Sequence, residues 1–209
     1  MLLSRQYRFV FIHPPKTAGT SLKQALAPYA DLYPLDLVEG TEIEDYVKKT
    51  FVLPNHFTLA QAERTLKLDM SGYLRIASVR NPWTRYASLY QFFRRIGSHP
   101  TSIFCNVHTF PQFMELLVRG IFPGDTRNQF AFLADSERRV RYDVLVRHEH
   151  LAADVQNLSD RLGIALNMEH IHRNPAPEKY AAMYNDRARQ LVADYCAQEI
   201  ETLRYRYPY

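Results

Sequence analysis

The chain has 209 residues, 46% of them hydrophobic and 23% charged, with a formal net charge of +4 and a pI near 9.0. Those values describe a globular chain rather than a disordered or fibrous one, and the basic excess suits an anionic ligand without arguing for nucleic acid. No run is long and apolar enough to span a membrane, and the first residues carry Arg5 and Arg8 with no signal-peptide pattern, so the expectation is a cytoplasmic protein.

A first strand is expected over about Tyr7 to Ile12, where Phe9-Val10-Phe11-Ile12 forms an apolar, β-prone run. Pro14 and Pro15 then break it, and a helix follows from Thr20 to about Pro28, with Leu22, Ala25, Leu26 and Tyr29 at helix spacing. Asp31 to Val38 reads as a short second strand. Thr41 caps a polar helix near Glu42 to Lys49, with Glu44 three residues on. Phe51 to His56 reads as a third strand ending in a histidine, after which Thr58 caps a helix through Leu66.

The fourth strand, Leu74 to Val79, feeds Arg80-Asn81-Pro82 and a helix with Tyr86, Leu89, Tyr90 and Phe93 on its buried face. Gly97 to Thr109 lacks periodicity and reads as a long loop, of the kind that often carries function in compact domains. A helix striped by Phe110, Phe113, Met114 and Leu117 stops at Gly120 and Pro123, and Gly124 to Arg141 holds a loop and one helix. The fifth strand is Tyr142 to Val146. A helix from about Glu149 to Leu162 ends at Gly163, His170 to Pro177 is a proline-bearing loop, and two helical patterns close the chain, the second with Val192, Cys196, Ile200 and Leu203. Alternating strands and helices without a linker or repeat predict one α/β domain over residues 1–209. Its sheet should be mostly parallel, with about five strands and helices around it.

Two stretches carry chemistry. In Pro15-Lys16-Thr17-Ala18-Gly19-Thr20-Ser21 a strand breaks into a turn and enters a helix, so backbone N–H groups and the helix N-terminus face an anion together. Lys16 adds a charge, and Thr17, Thr20 and Ser21 add hydroxyls. The stretch is not a Walker A loop: Thr20 holds the lysine position, and Pro14 stands where the first glycine belongs. The second stretch is Arg80-x-Pro82-x-x-Arg85-x-x-Ser88, again at a strand-to-helix turn, with an arginine fork suited to phosphate and a serine on the following helix.

The first stretch resembles the 5′-phosphosulfate loop of sulfotransferases, in the form PKTAGTS, and the second resembles their 3′-phosphate motif, R-x-P-x-x-R-x-x-S. Asn128-Gln129, the strand leading into Glu149 and Leu151, and the tyrosine-rich C-terminal helix look like the carbohydrate branch, akin to heparan sulfate 2-O-sulfotransferase. The resemblance implies a P-loop-NTPase-like three-layer fold. It implies a bacterial-type, PAPS-dependent enzyme whose donor is 3′-phosphoadenosine 5′-phosphosulfate, with no metal. The acceptor is a hydroxyl, in a saccharide or glycolipid, and the bisphosphate PAP is the other product. Carried over, Lys16, Thr17, Ala18, Gly19, Thr20 and Ser21 hold the 5′-phosphosulfate, and Arg80 and Ser88 hold the 3′-phosphate. Lys16 also neutralises the leaving oxygen. His56 resembles the histidine base at the end of the family's third strand, with Asn55 in place of a glycine.

Arg85 either touches the donor or braces a loop through a carboxylate such as Asp69 or Glu149. His13, outside the strict motif, reads as structural. His148/His150 and His170/His172 lack the spacing of a helical metal site. Arg138, Arg139 and Arg141 read as a solvated basic face. Cys105 and Cys196, with no CxxC, read as buried free thiols. The competing functions are a small-molecule kinase, which the missing Walker A lysine opposes, and a non-catalytic nucleotide-binding protein, which does not explain Arg80 and Ser88.

Overall fold

The computed structural model describes residues 1–31, 56–66, 70–96, 100–122, 126–168 and 178–209. They fall into two compact units, Met1–Val79 with Gln129–His172 and Arg80–Asn128 with Arg173–Tyr209.

The first unit holds a four-stranded sheet in the order β1 (Leu2–Ser4), β2 (Phe9–Ile12), β3 (Leu74–Val79), β4 (Val144–Arg147). β1 and β2 form an antiparallel hairpin in which Leu2 faces Phe11. β2–β3 and β3–β4 are parallel, with Phe11 opposite Ile76 and Ala77 opposite Leu145. Every residue of β2 is buried, as a central strand covered on both faces requires. Phe9, Phe11, Ile76 and Val146 share a core with Leu22 and Leu26 of α1 (Gly19–Leu26) and with Leu151, Val155 and Leu158 of a later helix, Leu151–Leu162. Ile12, Val79 and Arg147 end the three parallel strands, and the segments that follow them leave the carboxyl edge of the sheet, where α/β proteins bind ligands.

α2 (Leu59–Leu66) starts at a capping box. The Thr58 N–H donates to Gln61 Oε1 at 2.8 Å, and the Gln61 N–H donates to Thr58 Oγ1 at 3.1 Å. The second unit begins with α3 (Pro82–Phe93), opened by Asn81, whose Oδ1 accepts from the Trp83 N–H at 3.1 Å. α4 (Pro100–Val107) and α5 (Phe110–Val118) follow, then α6 (Gln129–Leu133) and α7 (Leu151–Leu162) of the first unit. The chain closes with α8 (Glu178–Ala181), α9 (Asp186–Tyr195) and α10 (Ala197–Leu203). Tyr86, Leu89, Tyr90 and Phe93 of α3 pack with Phe113, Met114, Leu117, Leu191 and Val192 in the second unit's core.

The α/β class and the mostly parallel sheet stand as expected. The sheet has four strands among the described residues. All but the first residue of the strand expected over Asp31 to Val38, and most of that over Phe51 to His56, lie outside them, as does the helix near Glu42 to Lys49. The sequence pattern does not predict β1, because a three-residue strand has no periodicity of its own and exists through its pairing with β2. The loop expected over Gly97 to Thr109 contains α4 instead. Pro100 opens that helix as the first helical residue, where its missing N–H does no harm, and Thr101 and Cys105 bury its short inner face. The last helical pattern breaks into two, because Cys196 leaves helical geometry at φ −112° and ψ 22°.

Candidate functional site

The turn after β2 is built from unusual backbone. Lys16 has φ 69° and Ala18 has φ 64°, both left-handed and neither a glycine. Such residues cost on the order of 1–3 kcal/mol each and persist where their surroundings impose them. Alternation of left- and right-handed residues turns successive N–H groups to one side, which makes a concavity for an anion. α1 follows at once with no side-chain cap at Ala18 and no acidic residue in its first turn, so its positive end is not neutralised from within the helix.

Thr17 locks the turn. Its hydroxyl donates to the Pro14 carbonyl at 2.8 Å and lies 2.7 Å from Ser78 Oγ in β3. A hydroxyl has one hydrogen, so Thr17 accepts from Ser78, and what it can offer a ligand as a donor is its main-chain N–H. Lys16 and Ala18 are half-buried, Thr20 is exposed, and Ser21 and Gly19 are buried on the core side of α1.

His56 stands two residues before the Thr58 cap, beside this turn. Its Nδ1 is 3.0 Å from the His13 carbonyl oxygen, and its ring is edge-on to that of His13 at 4.6 Å. His13 is buried, and burial above all holds its pKa well below 6.5, with positive neighbours including His56 and Lys23 adding to the effect. The structure therefore brings His56 to the loop expected to bind phosphosulfate, within one unit of the chain.

In the second unit Arg80 is 3% exposed. Its Nε donates to Thr84 Oγ1 at 2.9 Å, and its guanidinium lies 5.8 Å from the centre of the Tyr180 ring. Thr84 in turn donates to the Asn81 carbonyl at 3.0 Å. With Nε engaged, a bidentate contact to phosphate must use the Nη pair. Ser88 is buried one helical turn beyond Thr84, on the same side of α3. Arg85 is fully buried. Its Nη2 donates to the Arg127 carbonyl at 3.1 Å, and neighbouring Tyr86 donates to the Thr126 carbonyl at 2.9 Å. Of the two readings of Arg85, the loop brace is the one this contact, to the Arg127 carbonyl, supports. Asp69 lies outside the described residues.

The basic run is a clasp more than an open face. Asp135 Oδ2 pairs with Arg139 at 3.1 Å and with Arg141 at 3.2 Å, and Arg139 also reaches Glu137 at 2.6 Å. Burial alone would raise the Asp135 carboxyl, but the Arg139 N–H and the two guanidinium groups outweigh it and hold it at about 2. Cys105 and Cys196 are buried free thiols. Burial pushes Cys105 up to about 12 and raises Cys196 as well, so both are protonated and inert. His148 and His150 lie in a short 3₁₀ turn, and His170 and His172 fall outside the described residues. Among the described residues no group of three metal-ligating side chains converges, and no helix is long and apolar enough to cross a membrane.

Sequence reasoning missed Ser78 and Thr84. Each is a hydroxyl whose use depends on where the backbone brings it, although Thr84 does stand four residues after Arg80, a spacing that hints at the contact.

A mostly parallel α/β sheet with a strained strand-to-helix turn and an uncapped helix start at its carboxyl edge is the class that fold and site define. A family model described as the sulfotransferase family matches residues 1–209, and the chain belongs to that family. No curated protein and no solved structure matches it.

Proposed function

We propose that this sulfotransferase-family chain moves a sulfuryl group from 3′-phosphoadenosine 5′-phosphosulfate to an acceptor hydroxyl in a saccharide or glycolipid, within a P-loop-like three-layer fold of the carbohydrate branch. The observation that carries the reading is the paired left-handed geometry of Lys16 and Ala18 ahead of an α1 whose first turn holds no acid.

The donor supplies an activated sulfur bonded through oxygen to a phosphate. The N–H groups of residues 17–21 and the hydroxyls of Thr20 and Ser21 hold the 5′-phosphate, with Lys16 on the bridging oxygen. Arg80, through its Nη atoms, and Ser88 hold the 3′-phosphate. His56 Nε2 takes the acceptor's proton as the acceptor oxygen bonds to sulfur. The sulfur–oxygen bond to the phosphate breaks with its electron pair, and Lys16 neutralises the charge left on that oxygen. Positioning and charge stabilisation supply most of the rate in such transfers.

Thermal unfolding with adenosine 3′,5′-bisphosphate, ATP and AMP tests the reading. At a hundredfold its dissociation constant a ligand adds about 2.7 kcal/mol, which for a chain of this length raises Tm by about 5–10 °C. The rise is expected with the bisphosphate alone. A rise with ATP and none with the bisphosphate would replace sulfuryl transfer by kinase chemistry.

A further inference from the structure

We infer that His13 is a positioning residue that couples the anion-binding turn to His56; this rests on the reading of His56 as the base. Its carbonyl oxygen lies 3.0 Å from His56 Nδ1. A carbonyl only accepts, so Nδ1 carries the hydrogen, and in the neutral ring Nε2 is the nitrogen with the lone pair. The main chain of residue 13 thus selects the tautomer in which Nε2 is the basic atom.

The side chain of His13 sets position. Its ring stacks on Phe11 of β2, centroids 5.4 Å apart at 14°, and meets the His56 ring edge-on at 4.6 Å and 69°. Against its third side lies the first residue of α1. A Cβ on Gly19 would stand 2.3 Å from His13 Nδ1, 2.4 Å from Cγ and 2.6 Å from Cβ. Gly19 is therefore required for room, because its backbone is that of an ordinary helical residue. One ring spaces the strand, the base and the start of the helix that faces the anion.

A scaffold role alone does not account for that ring. His13 is 3% exposed, and its Nε2 has no hydrogen-bond partner among the described residues. A histidine kept as a hydrogen-bonded strut would use that nitrogen. Its neutrality, enforced by burial, also means that it adds no charge beside a neighbour that must accept a proton.

A two-residue cycle tests the coupling. The variants are Gly19→Ala, His13→Ala and the two together, with His13→Leu as a version that keeps the volume filled. Readouts are Tm without ligand, affinity for adenosine 3′,5′-bisphosphate, kcat against KM for the donor, and the His56 tautomer from long-range nitrogen–proton spectra. Gly19→Ala is expected to lower Tm and to weaken the bisphosphate by about tenfold, and His13→Ala in the same chain is expected to restore both, as coupled neighbours do. His13→Ala and His13→Leu alone should reduce kcat by about tenfold or more with little change in KM, since a general base contributes about 10²–10⁴-fold and is here misplaced rather than removed. The wild-type spectrum should show His56 protonated at Nδ1. Additive effects of the two substitutions, or a His56 protonated at Nε2, would overturn the inference. Loss of the sulfuryl-transfer reading would show as absent bisphosphate binding in the wild type; the Tm cycle and the tautomer spectrum would still decide whether His13 couples the two elements.

Discussion

Thr84→Val removes one hydroxyl and leaves the side-chain volume almost unchanged. In the structure that hydroxyl accepts from Arg80 Nε at 2.9 Å and donates to the Asn81 carbonyl at 3.0 Å. The carbonyl also accepts the Arg85 N–H at 2.9 Å, so it stays satisfied and the loss falls on Arg80. Arg80 is 3% exposed, and a hydrogen bond to a charged group contributes about 1.5–3 kcal/mol. Tm should fall by about 3–12 °C at this chain length.

The ligand effect is separate from the stability effect. A guanidinium no longer held at Nε must be ordered on binding, at about 0.5–1.5 kcal/mol, so adenosine 3′,5′-bisphosphate should bind about 2–13-fold more weakly. An analogue without the 3′-phosphate should lose nothing, and Thr84→Ser should behave like the wild type in both respects. Calorimetric titration of the two ligands and a melting curve for each variant read the result. A Thr84→Val protein with unchanged Tm would refute the assigned hydrogen bond, and equal losses for both ligands would refute its link to the 3′-phosphate.

His56→Ala should retain bisphosphate binding and lose about 10²–10⁴-fold in turnover, and single-turnover rates at saturating donor check it. Arg80→Ala should weaken the bisphosphate far more than the analogue lacking the 3′-phosphate, as competition titration would show. Asp135→Asn should lower stability at neutral pH by a margin that shrinks with acid. The folded Asp135 carboxyl sits at about 2 against an ordinary 3.8, so its contribution is full above pH ~4 and disappears as pH falls towards 2. Urea unfolding of both proteins across that range measures the margin, and a pH-independent difference would count against the clasp.

What the sequence made legible follows from the range of the interactions. β2, β3 and β4 are apolar runs bounded by turn residues, and α3, α5 and α7 carry stripes at helix spacing, so local pattern located them. Thr58 signalled the start of α2 in the same way, and the structure adds Gln61 as its partner in the cap. α4 is only eight residues long, and its apolar Ile103 and Val107 face outward at 60% and 71% exposure, which blurred its stripe. The candidate site was legible as residue types in order. Its working contacts were not, because Thr17 meets Ser78 across 61 residues and His56 meets His13 across 43. Pattern within a window of a dozen residues does not reach such pairs.

The same contrast explains why Lys16 and Ala18 are informative where Gly19 is not. A glycine is the usual answer to left-handed backbone, yet Gly19 is an ordinary helical residue that makes room for a ring. The two left-handed positions instead carry side chains that resist that conformation. The link between Thr17 and Ser78 holds the turn from one side, and Pro14 and Pro15 limit it from the other. A turn that only had to join β2 to α1 would relax to right-handed angles at both residues. Strain kept at two positions on either side of the clamped Thr17 fits the proposed anion site, because left-handed positions in a turn aim main-chain N–H groups towards one side, at the head of α1.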